Sequence, residues 1–313
     1  MKKVVRFIIH SKAAAYIAAL LYVAVWCCRS VLAGDFILSG CLGLLVTLVM
    51  GYLSVKVARE FSFGDGKNTL PATLFFMGCA VAPRLNLTGG EGMHLILFSV
   101  ACYVLLRTFR SRNAMGGYFL AFALVSVQCV MTPTLLLALP CLVLCGAFVD
   151  SLHTRTFLAA LWGLLCPFWM VGGVLFLMGR TGFVVPYLER ILPSVSSVPA
   201  VFGTLQLWIP LLWALLLAVP GSVVILLNRT MKLQTSAGLR FVIFSFVVLL
   251  VTVCLSPECF VALLPSALVA SSLIGAGLFA GNDGRARDIY LLVLLFLWLV
   301  ALGLLVWNNS MTY

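Results

Sequence analysis

Residues 157–179 read FLAALWGLLCPFWMVGGVLFLMG, and no charged side chain interrupts them. A stretch of about 18 or more apolar residues is typical of a helix that crosses a membrane. Comparable apolar runs cover residues 201–228 and 289–307. A bilayer offers no water to pair backbone N–H and C=O groups, so a spanning segment must be a helix or part of a closed barrel. Barrel strands alternate apolar and polar residues. These runs do not alternate, so the sequence predicts helices.

The composition of the whole chain has the same character. Of its 313 residues, 63% are hydrophobic and 9% are charged, whereas soluble domains carry about 25% charged residues. A soluble fold of this length could not bury so much apolar surface, so most of the chain must be surrounded by lipid. The net charge of +11 does not indicate nucleic-acid binding, because the Lys and Arg residues lie in small groups between apolar runs and form no basic stripe.

The apolar runs predict an all-α, polytopic transmembrane helix bundle with about eleven spans, forming a single integral membrane domain over residues 1–313. The candidate spans are 13–28, 36–57, 70–82, 93–109, 114–131, 134–149, 157–179, 201–228, 241–256, 260–280 and 289–307. Residues 181–200 form the longest connection. They are predicted to be an outer interfacial segment, because Val184, Tyr187 and Leu188 recur at helical spacing opposite Glu189. An ordinary loop is the alternative there.

The basic residues predict the orientation of the bundle. Cytoplasmic loops of membrane proteins carry an excess of Lys and Arg. With the N-terminus placed in the cytoplasm, sixteen of the 20 Lys and Arg residues fall inside and the C-terminus lies outside. The four outer cations are Arg29, Arg84, Arg180 and Arg190. We expect the first helix to be retained as a signal anchor, although residues 31–33 (VLA) resemble a signal-peptidase site.

Residues 70–82 form the weakest predicted span. Thirteen residues rise about 20 Å as a helix, short of a hydrocarbon core of about 30 Å. A re-entrant segment is therefore the alternative. It would move the three cations Arg107, Arg110 and Arg112 to the outer side, so the charge bias favours a true crossing.

The predicted spans contain few groups that could carry chemistry. No Asp, Glu, Lys or Arg lies in the middle of a span, and such residues are the usual mark of proton relays and ion-coupled carriers. Gln128 is expected to join neighbouring helices, and His94 to be a satisfied residue near the outer face. The chain has 11 Cys residues but no CxxC motif and no Cys/His pair at ligand spacing, so we predict no metal site and no cofactor.

Asp35 is the candidate catalytic residue. It ends the first outer loop at the start of the second span. A carboxylate facing a groove there could act as general base toward a hydroxyl. The alternative is a helix N-cap for the run that begins at Phe36, because Asp readily pairs the free N–H groups of a first turn.

Four short motifs carry a resemblance to known proteins. They are KNTLP at 67–71, MTP at 131–133, RTF at 155–157 and GLLCP at 163–167. With them, residues 68–178 resemble an uncharacterised family of bacterial polytopic inner-membrane proteins. That pattern is in turn similar to the core module of type C glycosyltransferases, which use polyprenyl-phosphate sugars, and the matching module here would be residues 1–180.

The resemblance implies a site at the outer face of a bacterial inner membrane. The transferases carry a catalytic acidic residue in the first outer loop, which corresponds to Asp35. The substrate-binding candidates are Arg84, Arg180, Glu189 and Arg190, the arginines contacting a lipid phosphate. The first outer loop, residues 29–35, is shorter here and has no second acidic residue.

Three functions remain open from the sequence. The first is a transferase acting on a polyprenyl-linked sugar, and the second is a carrier or flippase for an amphipathic lipid. The third is a non-catalytic partner of other envelope membrane proteins. The carrier predicts an open groove between helices, whereas the assembly partner predicts an outer face without a cavity. In each case membrane lipids are expected partners and nucleic acid is not.

Overall fold

The computed structural model of the chain is helical throughout its described parts, which contain no strand. The described residues are 5, 7–9, 11–33, 38–63, 69–82, 90–111, 114–148, 151–179, 182, 184–189, 205–228, 231–255, 260–280 and 285–311. The helices are α1 (Lys12–Ala33), α2 (Leu38–Glu60), α3 (Leu70–Ala80), α4 (Gly90–Arg107), α5 (Met115–Met131), α6 (Leu139–Phe148), α7 (Thr154–Leu177), α8 (Val184–Glu189), α9 (Leu205–Leu227), α10 (Leu233–Leu255), α11 (Phe260–Ala280) and α12 (Arg285–Met311).

Six of the helices in the described ranges are long and apolar enough to cross a membrane. These segments are Cys41–Glu60, Thr154–Leu177, Trp208–Leu227, Leu233–Cys254, Phe260–Phe279 and Arg285–Leu304. Shorter apolar helices occupy Lys12–Cys28, Leu70–Ala80, Gly92–Arg107 and Met115–Met131. The all-helical fold and its membrane-spanning character agree with the sequence. The count of eleven spans and the sidedness of the termini stay predictions.

Helix α11 forms the centre of the bundle, and α7 and α12 lie at its edge. Almost every residue of α11 is buried, between α9, α10, α3 and α4. By contrast α7 presents large apolar side chains outward, among them Trp169 with 85% of its surface exposed. A helix that is apolar on its outer face needs lipid rather than water around it. The protein is therefore an integral membrane protein.

The segment predicted as one span over 134–149 is divided. Residues Pro133–Ala138 form a 3-10 helix, and α6 follows from Leu139. Pro140 has no backbone N–H, so an α-helix could not pair the carbonyl four residues before it. A 3-10 helix can begin at Pro133, and an α-helix can begin next to Pro140. The division of the segment is therefore compatible with both prolines.

Helix α3 connects the two ends of the bundle. The Tyr103 hydroxyl of α4 donates a 2.8 Å hydrogen bond to Glu60 Oε2 at the end of α2, so α2 and α4 finish at the same end. Since α4 begins about 27 Å away at Gly90, the chain must change ends between 63 and 90. The hydroxyl of Thr69, just before α3, donates to the Ser11 carbonyl at the start of α1. The chain therefore passes from one end of the bundle towards the other through α3, which has 11 residues.

The cations gather at the end of the bundle that holds Glu60. The Thr235 hydroxyl at the start of α10 donates to the Phe61 carbonyl, and the hydroxyls of Thr108 and Ser151 lie 3.2 Å apart. These contacts join the basic ends of α2, α4, α7 and α10, and Arg287 of α12 donates to the Phe279 carbonyl at the end of α11. All of the described Lys and Arg residues except Arg29 lie within about two helical turns of this end, which we call the basic face.

Candidate functional site

The predicted outer site falls mainly outside the described residues. Asp35, Arg84, Arg180 and Arg190 all lie there. Glu189 is described, and it is exposed at the last position of α8. The assignment of Asp35 as base and of the three arginines as phosphate ligands therefore stays a prediction.

Helix α8 is attached to the bundle by Tyr187. Its hydroxyl donates a 2.7 Å hydrogen bond to the Cys129 carbonyl near the end of α5, and its ring packs edge-on against Phe168 of α7, with the centroids 6.1 Å apart. Burial, with a smaller contribution from Cys129, raises the pKa of Tyr187 to about 12, so the hydroxyl keeps its proton at neutral pH. The predicted amphipathic segment thus has a short helix packed at the end opposite the basic face.

A cavity lies between α2, α4, α10 and α11. Its empty volume is about 750 Å³, including open space at its mouth. Most of the lining is apolar, with Met50, Phe98, Leu106, Phe241 and Leu273 among the wall residues. The arrangement suits a flexible hydrocarbon chain.

Two serine hydroxyls in the cavity wall have no hydrogen-bond partner among the described residues. They belong to Ser99 of α4 and Ser266 of α11, and the Ser266 residue is only 1% exposed. Ser54, in the same wall, donates to the Gly51 carbonyl at 2.7 Å, which is how a serine in an apolar helix usually satisfies its hydroxyl. A buried hydroxyl without a partner costs about 1–3 kcal/mol. The hydroxyls of Ser99 and Ser266 are therefore buried in the cavity wall without a partner in the described residues.

The edge of the cavity nearest the basic face is charged. Glu60 pairs with Arg107 at 3.1 Å, and the Arg107 guanidinium lies 5.7 Å from the centroid of the Tyr103 ring. Lys56 lines the cavity and is exposed, whereas Glu60 and Arg107 lie beyond the lining. It forms no ion pair with any residue of the described ranges. One wall of the cavity thus ends at a cation that no described carboxylate neutralises.

His94 and Gln128 form a second group of buried polar side chains. Nδ1 of His94 and Nε2 of Gln128 have no partner among the described residues, and the two residues are 2% and 1% exposed. A Cβ at Gly117 of α5 would meet side-chain atoms of Thr108 and Val104 of α4. Since α4 and α5 run antiparallel, Gln128, eleven residues after Gly117, lies at about the depth of His94 in the bundle. The sequence expectation that His94 is satisfied is wrong for its Nδ1 atom.

No protein-family model, curated protein or solved structure matches the chain. The resemblance to type C glycosyltransferases accordingly remains a prediction that rests on the four short motifs. The same holds for the three candidate functions and their partners. Function is therefore inferred from the geometry of the chain itself.

Proposed function

We propose that the protein binds an amphipathic lipid inside its helix bundle and acts as a lipid carrier or flippase. The observation that carries this proposal is the apolar cavity between α2, α4, α10 and α11 with a cation at one edge. An apolar chain gains free energy by leaving water, while a charged head group keeps its favourable contacts at the edge. Ser266 lies about 21 Å along α11 from the end at Ala280. The lining covers about 10–12 Å along α2, α4 and α11, so the cavity reaches from near the basic face to about the middle of a ~30 Å hydrocarbon core.

In this proposal the basic face is cytoplasmic and the bundle spans a bacterial inner membrane about eleven times. The gathering of the described cations at one end supports this orientation, because the positive-inside rule places Lys and Arg in the cytoplasm. A lipid would then enter the cavity from the cytoplasmic leaflet. The neighbouring leaflet supplies such molecules with their head groups at the level of Lys56.

Filling the cavity tests whether it holds lipid. In Ser266→Leu and Ser99→Leu the new side chains occupy the cavity wall without removing a hydrogen bond. Ser222→Leu is the matched control, since Ser222 lies on α9 and its hydroxyl donates to its own helix at the Val219 carbonyl. Lipid that co-purifies with each variant is measured by native mass spectrometry. We expect both cavity variants to lose most of the bound lipid, and the control to keep it.

A folded Ser266→Leu or Ser99→Leu protein with undiminished lipid would contradict the proposal. Thermal unfolding of each variant in detergent distinguishes a filled cavity from an unfolded bundle. Movement of a head-group-labelled lipid between leaflets of vesicles tests the carrier activity. It should be faster with the unmodified protein than in protein-free vesicles, and the Ser222→Leu variant should match the unmodified protein.

A transferase acting at the outer face is the second candidate. The helix α8, held by Tyr187 at the end opposite the basic face, favours it, because the resemblance implies short interfacial helices after the seventh span. Asp35 would be the base, Arg84, Arg180 and Arg190 would contact the phosphate of a polyprenyl-linked sugar, and Glu189 would line the site. Replacing Asp35 with Asn should then abolish glycan product without reducing the amount of protein in the membrane. Unchanged product would exclude this mechanism.

A further inference from the structure

The charge at the edge of the cavity indicates which kind of head group its ligand would have. Two cations lie near this edge, but only Lys56 is part of the cavity lining. Arg107 is paired with Glu60 at 3.1 Å, and the Tyr103 hydroxyl donates to the same carboxylate at 2.8 Å. Lys56 has no such partner in the described ranges. The positive charge that the cavity itself offers to a ligand therefore comes from Lys56.

We infer that the cavity selects lipids with an anionic, phosphate-type head group and that Lys56 determines this selectivity. The inference rests on the proposed lipid binding. An ammonium group forms charge-assisted hydrogen bonds to phosphate oxygens, and near a membrane surface each basic residue favours anionic lipid. A zwitterionic head group brings its own cation and gains less from Lys56.

The depth of the cavity places the apolar part of the ligand beneath its head group. Ser99 lies one helical turn before Tyr103 on α4, which places it about 6 Å deeper than the edge of the cavity. Most of the wall at this depth is apolar, which suits an acyl chain. The ligand class is therefore an anionic phospholipid.

Competition between two matched lipids tests the inference on the full chain in an uncharged detergent. The probes are phosphatidylglycerol and phosphatidylcholine with identical acyl chains. We expect the unmodified protein to prefer phosphatidylglycerol, and Lys56→Gln to reduce that preference about five-fold. Lys56→Arg should retain it. Lys232→Gln is the control, because Lys232 is an exposed cation of the basic face that does not line the cavity.

The outcomes separate this inference from the proposed function. If the unmodified protein binds both lipids equally, or if Lys56→Gln keeps the preference, the inferred selectivity is wrong. The proposed lipid binding is not affected by either result. Undiminished lipid in Ser266→Leu overturns lipid binding itself. Inorganic phosphate is added as a further competitor. If it displaces phosphatidylglycerol at matched concentration, the site recognises a free anion and the assignment to a lipid is wrong.

Discussion

The indole nitrogen of Trp298, in the peripheral helix α12, donates a 2.9 Å hydrogen bond to the backbone carbonyl of Met77 in α3. Met77 lies in the last turn of α3, where carbonyls lack a good partner within the helix. The N–H of Val81 donates to the same oxygen at a longer distance, 3.4 Å. Trp213 of α9 donates similarly to the Leu74 carbonyl at 3.3 Å. Two tryptophans thus satisfy the backbone of a short helix that ends inside the bundle.

Replacing Trp298 with Phe should destabilise the protein. The aromatic ring is kept and the donor is removed, so the Met77 carbonyl stays buried without its best partner. We expect a loss of about 1–2 kcal/mol in the free energy of unfolding, measured by denaturant titration in detergent. Trp169→Phe is the control, because Trp169 is exposed on α7. Equal stability of the two variants would show that the indole hydrogen bond contributes nothing.

The position of α3 predicts the outcome of a topology experiment. Reporters fused after Ser62 and after Ser111 should lie in the same compartment, since Glu60 and Arg107 form an ion pair near these points. A reporter fused after Ala82 should lie in the opposite one. Opposite readings after Ser62 and Ser111 would mean that α3 turns back, and would invalidate the assignment of the basic face.

Close packing of α5 on α7 yields another prediction. A Cβ added at Gly163 of α7 would come within 2.3 Å of the Phe119 carbonyl oxygen of α5, and backbone atoms cannot move aside easily. Gly163→Ala should therefore cost about 1–3 kcal/mol of stability. At Gly172, on the same helix, an added Cβ would meet nothing within 4 Å. Gly172→Ala should be neutral or slightly stabilising, and thermal unfolding of both variants provides the comparison.

The helical type of these segments is predictable because hydrophobicity acts locally, whereas their ends are less so: α10 begins at Leu233 and not at the predicted 241. The sequence shows that the span over 70–82 is too short for a bilayer, and the charge bias favours a crossing. The structure supplies the physical reason. All eleven residues of α3 are buried by neighbouring helices, so α3 has no lipid to span. A helix surrounded by protein can end inside the membrane when other side chains satisfy its carbonyls, as Trp298 does.

The cavity could not have been predicted in the same way. Its walls come from α2, α4, α10 and α11, which are distant in sequence and meet only after packing. In the sequence Ser99 and Ser266 are small residues within apolar runs, like Ser271 and Ser272, whose hydroxyls bond to their own helix. Whether a serine hydroxyl finds a partner depends on side-chain packing. The hydropathy of the sequence does not predict this packing.

The similar depth of His94 and Gln128 in the bundle allows a test of polar pairing between α4 and α5. Both side chains are buried, and each has one nitrogen without a partner in the described residues. The neutral imidazole nitrogen can accept a hydrogen bond and the amide can donate one. Together, or through one bound water, they would satisfy each other. Removing one of them would then leave the other without a partner.

A double-mutant cycle with His94→Leu and Gln128→Leu measures this coupling. Each single variant should lose about 1 kcal/mol or more, because the remaining polar group is then buried alone. The double variant should lose less than the sum, since two apolar side chains replace the pair. A coupling of about 0.6 kcal/mol is the average for hydrogen bonds between membrane helices. Effects that add within about 0.3 kcal/mol would show that the two side chains do not interact, and the register that places them at one level would have to be revised.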